Sequence, residues 1–172
     1  MTSQDTLRAD VDDKKTIDEQ QTKEPAKKLV KILNGKTEPE FQLKLIPEHL
    51  IFKYASLGPG FATFTIVNTK TDRQAFKVKS SDNTFYRSKP SVGFIKPGEK
   101  VHIRVTYLNP YQNVPNENQH TKHIAVYHVS AGNAKTYKEA FEKKTDGVYH
   151  YYCNHQADMQ QVDDTTDTDK KV

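Results

Sequence analysis

All 9 Tyr and all 8 Phe of this chain fall between Phe41 and His155, and the first 40 and last 17 residues carry no aromatic ring. Aromatic side chains bury the most apolar area per residue and dominate the energetics of small cores. Only the middle of the chain can therefore build one. Across the 172 residues, hydrophobic types make up 34% and charged types 28%, too polar an average for a chain ordered from end to end. The expected organisation is a polar N-terminal extension over residues 1–40, a folded unit over 41–155 and an acidic, disordered tail over 156–172.

Charge divides at the same boundaries. Lys and Arg number 16 against 8 Asp and Glu in residues 41–155, 8 against 9 in residues 1–40, and 2 against 5 in residues 156–172. The formal net charge of +4 thus conceals a strongly basic unit between neutral and acidic flanks, which favours an anionic partner. The single cysteine, Cys153, cannot form an internal disulfide, and residues 1–15 lack the apolar run of a signal peptide. No apolar run approaches the roughly 18 residues that span a bilayer. An intracellular protein without membrane insertion is expected.

Within the N-terminal extension, Ala26, Leu29, Val30 and Leu33 recur at helical spacing between Pro25 and Gly35, which predicts a short helix near residues 26–34. From Phe41 the period changes to two. Short β-rich runs follow at 41–45, 49–53, 62–68, 75–79, 92–95, 101–108 and 123–129, separated by turn residues such as Gly58-Pro59-Gly60 and Pro97-Gly98. Strands of this length at this spacing predict an all-β sandwich. A short surface helix is expected over 136–144, and a last strand over 147–155. That strand has aromatics on both faces and reads as central rather than as an edge.

Catalytic signatures are missing from the sequence. No Gly-x-Ser-x-Gly elbow occurs, and Gly58-Pro59-Gly60 leads into a strand rather than the helix a phosphate loop requires. The 8 carboxylates of the folded unit lie mostly in turns and in the short helix, so no enzyme and no cofactor are expected. All 7 His fall in the folded unit, yet only Cys153 and His155 share a strand face, and two ligands do not make a zinc site. Nucleic acid is not expected either, because the aromatics alternate with aliphatics as core residues do, and no recognition-helix pattern is present.

The run Phe76-Lys77-Val78-Lys79-Ser80-Ser81, followed by Ser88-Lys89-Pro90-Ser91-Val92-Gly93-Phe94-Ile95-Lys96-Pro97-Gly98, resembles the signature of the major sperm protein (MSP) domain. That domain is shared by nematode sperm cytoskeletal proteins and by the endoplasmic-reticulum receptors called VAP proteins. Val67-Asn68-Thr69, Leu108-Asn109-Pro110-Tyr111 and the stretch from Pro115 to Lys122 are similar to further family positions. The resemblance covers about residues 41–155 and implies a seven-strand immunoglobulin-like sandwich. It also implies a cis bond at Pro90, a structural position suited to the point where the chain changes sheets, since proline donates no ladder hydrogen bond.

Two functions come with the resemblance. In the sperm branch the domain builds or accompanies cytoskeletal filaments; the filament-forming protein is a nearly bare domain, whereas 40 residues before the domain and 17 after it, as here, look most like a filament accessory. It would bind or modulate major sperm protein filaments, or other MSP-domain proteins, in amoeboid sperm motility. Its place would be the cytoplasm and cytoskeleton of the sperm pseudopod. In the VAP-like branch a basic groove reads short acidic peptide motifs, and the matching positions here are Lys77, Lys79, Ser80, Ser81, Lys122 and Ile124. Lys77 and Lys79 could equally do no more than solvate a strand face. A homodimer stays open. In the tail, Thr165, Thr166 and Thr168 stand among aspartates and are candidate phosphorylation sites.

Overall fold

The computed structural model describes residues 29–31, 37–54, 58–111 and 122–157. The candidate phosphorylation sites, most of the expected tail, most of the N-terminal extension and residues 112–121 lie outside the described residues. In chain order the elements are β1 Leu29–Lys31, β2 Thr37–Pro39, β3 Lys44–Ile46, β4 Leu50–Tyr54, β5 Gly60–Val67 and β6 Gln74–Ser80. There follow β7 Tyr86–Lys89, β8 Val92–Ile95, β9 Lys100–Tyr107, β10 His123–Ser130, α1 Tyr137–Ala140 and β11 Gly147–Ala157.

Alternation makes the strands. Along β5, Ala62, Phe64 and Ile66 are buried while Phe61 and Thr63 are exposed; along β9, Ile103, Val105 and Tyr107 are buried between exposed His102 and Arg104. Each strand therefore has one face that leaves water and one that stays in it. Nine strands form a hydrogen-bonded path, β7-β9-β5-β4-β11-β10-β6-β8, with β3 also on β5.

The path curls into two layers because β11 belongs to both. Its first half, Gly147 to Tyr152, pairs antiparallel with β10, and Cys153 to Ala157 pair parallel with β4. The inward residues of both layers, among them Phe76, Val78, Ile124 and Val126 on one side and Phe52, Phe64, Ile66 and Ile103 on the other, merge into one core. The result is an immunoglobulin-like sandwich with more strands than the expected seven, and β11, expected to be central within a sheet, instead gives each half to one strand, the first to β10 and the second to β4.

Asn68 anchors the end of β5. Fully buried, it donates from Nδ2 to the Asp72 carbonyl at 2.8 Å and to the Ile95 carbonyl at 3.0 Å, while its Oδ1 accepts from the Lys70 amide at 3.0 Å. The neighbouring turn from β8 to β9 closes with Glu99 N–H donating to the Lys96 carbonyl at 3.0 Å, and Gly98 sits there at φ +74°. Proline second and glycine third are what a type II turn demands, since only glycine takes that φ without cost.

Three expectations are corrected. Where a helix was expected near 26–34, Leu29–Lys31 is a strand, paired antiparallel with Thr37–Pro39. Four apolar positions are too few to separate a helical period from a short strand, and Asn34-Gly35 is a dipeptide favoured between hairpin strands. β7 was not anticipated: it holds a single apolar residue, Tyr86, in four, yet pairs with β9 over its whole length. The helix expected over 136–144 is one turn, capped by Thr136, whose hydroxyl accepts from Glu139 N–H at 3.2 Å. It seats Ala140 and Phe141 on a small apolar cluster with Ala75, Val129, Ala131 and Ala134.

Candidate binding surfaces

The outer face of the β8-β6-β10-β11 layer carries two of the expected site lysines. Period two sends Phe76 and Val78 of β6 into the core and Lys77 and Lys79 outward. Lys77 Nζ lies 4.3 Å from the centroid of the Phe141 ring and 5.6 Å from that of Tyr127; Lys79 Nζ lies 5.9 Å from Tyr127. Aromatic faces attract cations electrostatically and hold these ammonium groups against the sheet. Partial burial lowers the Lys77 pKa, and the charge on Lys79 lowers it further. Two cations so close, over two rings, favour any anion that would neutralise them.

Further along the same face, His150 Nε2 lies 2.7 Å from Glu38 Oε2, which ties β2 to β11, and the rings of His123 and His150 meet edge to face at 4.9 Å.

The other four expected residues do not join Lys77 and Lys79. Ile124 pairs with Ser80 in the β6–β10 register and is fully buried in the core, so it offers no apolar contact to a ligand. Lys122 precedes β10, and its ammonium is taken up by Asp82 Oδ2 at 2.5 Å and by the Phe85 ring at 3.5 Å to the centroid. The bond from Lys122 lowers the Asp82 pKa. Ser80 and Ser81 are engaged in the turn: Ser80 Oγ accepts from Asp82 N–H at 3.0 Å, and Ser81 Oγ from His123 N–H at 2.9 Å. Pro90 stands between β7 and β8, strands of opposite layers, and the Lys89-Pro90 bond is cis.

Cys153 and His155 face inward rather than toward solvent. The Tyr86 hydroxyl lies 2.7 Å from His155 Nε2, and the imidazole stacks on Phe52 at 5.2 Å with Tyr107 at its edge. Burial pushes the His155 pKa down to about 4 and the Cys153 thiol up to about 12. A thiol so placed is neutral and inert as a nucleophile. Among the described residues no group of three or more His, Cys, Asp or Glu is arranged to hold a metal ion.

The opposite layer presents a surface that sequence reading did not single out. The registers Lys53↔Phe61, Phe61↔Thr106, Thr63↔Arg104 and Lys44↔Val67 put the exposed residues of β3, β4, β5 and β9 on one outward face, which β7 continues. Its charged strand residues are Lys44, Lys53, Arg87, Lys89, Lys100 and Arg104, all exposed, with no carboxylate among them. The Arg104 guanidinium lies 4.0 Å from the Phe61 centroid. Beside it a groove of about 800 Å³ opens between β4 and β5, with the exposed Ile51 and Phe61 in its wall and Glu48 at the β3–β4 turn. Strand phase was the signal for this face; the six cations are spread over four strands, β3, β4, β7 and β9, and form no run in the sequence.

A sandwich of mostly antiparallel strands with one strand shared between its layers, a Lys-Pro switch between layers and an asparagine-anchored turn places this molecule among immunoglobulin-like domains. The chain belongs to the MSP (Major sperm protein) domain family, whose model matches residues 42–148. It is similar to the sperm-specific class P protein 32 of Caenorhabditis elegans, 41% identical over 49 residues, which are 28% of this chain and 46% of that protein. The match thus spans less than half the length of that curated relative. Its fold is similar to two solved structures from the same organism. SSP-19, an MSP-domain protein like family member, aligns at a TM-score of 0.55 and 24% identity over 67% of this chain and 100% of its own. WR4, an MSP family member, aligns at 0.54 and 23% identity over 66% and 97%.

Proposed function

We propose that this chain is a non-enzymatic accessory of the sperm cytoskeleton that acts in the cytoplasm, binding or modulating filaments of major sperm protein, or other MSP-domain proteins, through its own domain. The observation that carries the reading is the family match over residues 42–148, seconded by similarity to a sperm-specific protein. The geometry is consistent with binding rather than catalysis: the inward Cys153 and His155 are closed off by rings, and the polar and charged groups lie on open sheet faces. A pull-down with the full chain from nematode sperm extract, followed by identification of the captured proteins, tests it. MSP-domain proteins should dominate the specific fraction; a fraction without any of them contradicts the reading.

A second reading rests on a separate observation. Lys77 and Lys79, held over Tyr127 and Phe141, make a cationic and aromatic strip suited to a short acidic peptide carrying an aromatic residue. The strip would work without Ile124 and Lys122, whose side chains are committed elsewhere. Titrating the full chain with an acidic, aromatic-bearing peptide separates the two readings, since filament binding alone predicts no saturable signal.

A further inference from the structure

The strands that form the basic outer face of β4, β5, β9 and β7 carry no counter-charge of their own. Six cations lie on the outward positions of that layer, and its strand residues include no Asp or Glu. Like charges at neighbouring positions on a sheet repel, and a surface built this way is stabilised by whatever anion covers it.

The chain itself carries a matching anion, and the topology delivers it to the right place. β11 ends at Ala157, paired with Tyr54, while Gln156 pairs with Lys53, and Lys53 in turn pairs with Phe61. The chain therefore leaves the sheet beside the β4–β5 groove. Residues 158–172 follow, with Asp158, Asp163, Asp164, Asp167 and Asp169 and two apolar side chains, Met159 and Val162, near the start. Those 15 residues can span up to about 50 Å, whereas the four steps from β11 across β4, β5 and β9 to β7 cover only about 19 Å.

We infer that the acidic segment of residues 158–172 docks across the basic β4–β5–β9–β7 face of its own chain, as a cover that any outside acidic partner of that face must displace. Met159 and Val162 leave Ala157 within reach of the apolar wall formed by Ile51 and Phe61, and the aspartates that follow are matched to Arg104, Lys89 and Arg87. Tethering supplies an effective concentration on the order of millimolar, so a weak individual contact suffices to keep the face covered. Phosphate on Thr165, Thr166 or Thr168 would tighten the cover, because each adds about −1.5 to −2 charge at pH 7.

The test attaches a nitroxide to the full chain at Thr166→Cys under native conditions, where Cys153 is fully buried, and reads backbone amide intensities of the isotopically enriched protein. Intensity should be lost at Phe61, Thr63 and Arg104 and retained at Lys77 and Lys79. It should return at about 1 M salt, where the Debye length is about 3 Å. It should also return when Asp163, Asp164, Asp167 and Asp169 are each changed to Asn, a variant that leaves the sandwich untouched, and in Lys89→Glu with Arg104→Glu. Uniform intensities, or loss centred on Lys77 and Lys79, overturn the inference. So does equal loss when nitroxide-bearing unenriched chain is mixed with enriched chain lacking the label, which would assign the contact to a second copy.

Discussion

The Tyr86 hydroxyl and His155 Nε2 lie 2.7 Å apart in the core, joining edge strand β7 to the shared strand β11. Surrounded by Phe52, Tyr86 and Tyr107, His155 is held neutral, with its pKa pushed by burial to about 4 against the 6.5 of a free imidazole.

The unfolded chain therefore takes up a proton that the folded one refuses. Its contribution to stability is complete above about pH 6.5 and is lost progressively as pH falls toward about 4, a loss on the order of 3 kcal/mol. The urea midpoint should fall across that window, and His155→Phe, which keeps the packing on Phe52, should remove most of the fall. An equally steep fall in the variant would assign the acid sensitivity to other groups.

Gly147 is a second sensitive position in the same strand. Opposite His128 in the β10–β11 register, it leaves no room for a side chain: a Cβ would lie 2.7 Å from the Glu40 carbonyl oxygen and 2.8 Å from Phe41 Cα. Both neighbours are backbone and cannot rotate away. Gly147→Ala should cost about 1–3 kcal/mol in overpacking, read as a lower urea midpoint at unchanged slope. A midpoint equal to wild type would mean that the segment before β3 moves aside freely.

Asn68→Ala should be as costly for a different reason. It leaves the Ile95 carbonyl and the Lys70 amide without the buried side chain that partners them, a loss of about 2–4 kcal/mol. Thermal unfolding would show it as a lower Tm; a shift within error would indicate that water replaces the amide.

Strand alternation made the layers legible before any coordinates, because Phe64, Ile66, Ile103 and Val105 could only face inward together. The site was less legible, and β10 shows why. His123-Ile124-Ala125-Val126 is apolar at three of four positions, so its phase cannot be read from polarity, and family resemblance assigned Ile124 to a surface that the register denies it. Lys122 was misplaced for a related reason: its partner Asp82 is 40 residues away, and nothing local predicts the ion pair. The basic face of β4, β5, β9 and β7 went unseen because its cations meet only once the strands are in register.

Charge reversal on the other face separates binding from folding. Lys77→Glu with Lys79→Glu should weaken binding to an acidic partner by more than about tenfold, since attraction is lost and repulsion gained. Stability should change by no more than about 0.5 kcal/mol, as both side chains are on the surface. The readouts are peptide titration and the urea midpoint of the same preparation; undiminished binding would return these lysines to the role of solvating a strand.

Co-sedimentation shows most directly whether this domain engages filaments of its own family. Full chain sedimented with assembled major sperm protein filaments should appear in the pellet, saturate as its concentration rises, and stay in the supernatant when filaments are left out. Recovery in the supernatant at every filament concentration, with the filaments themselves fully pelleted, would contradict it.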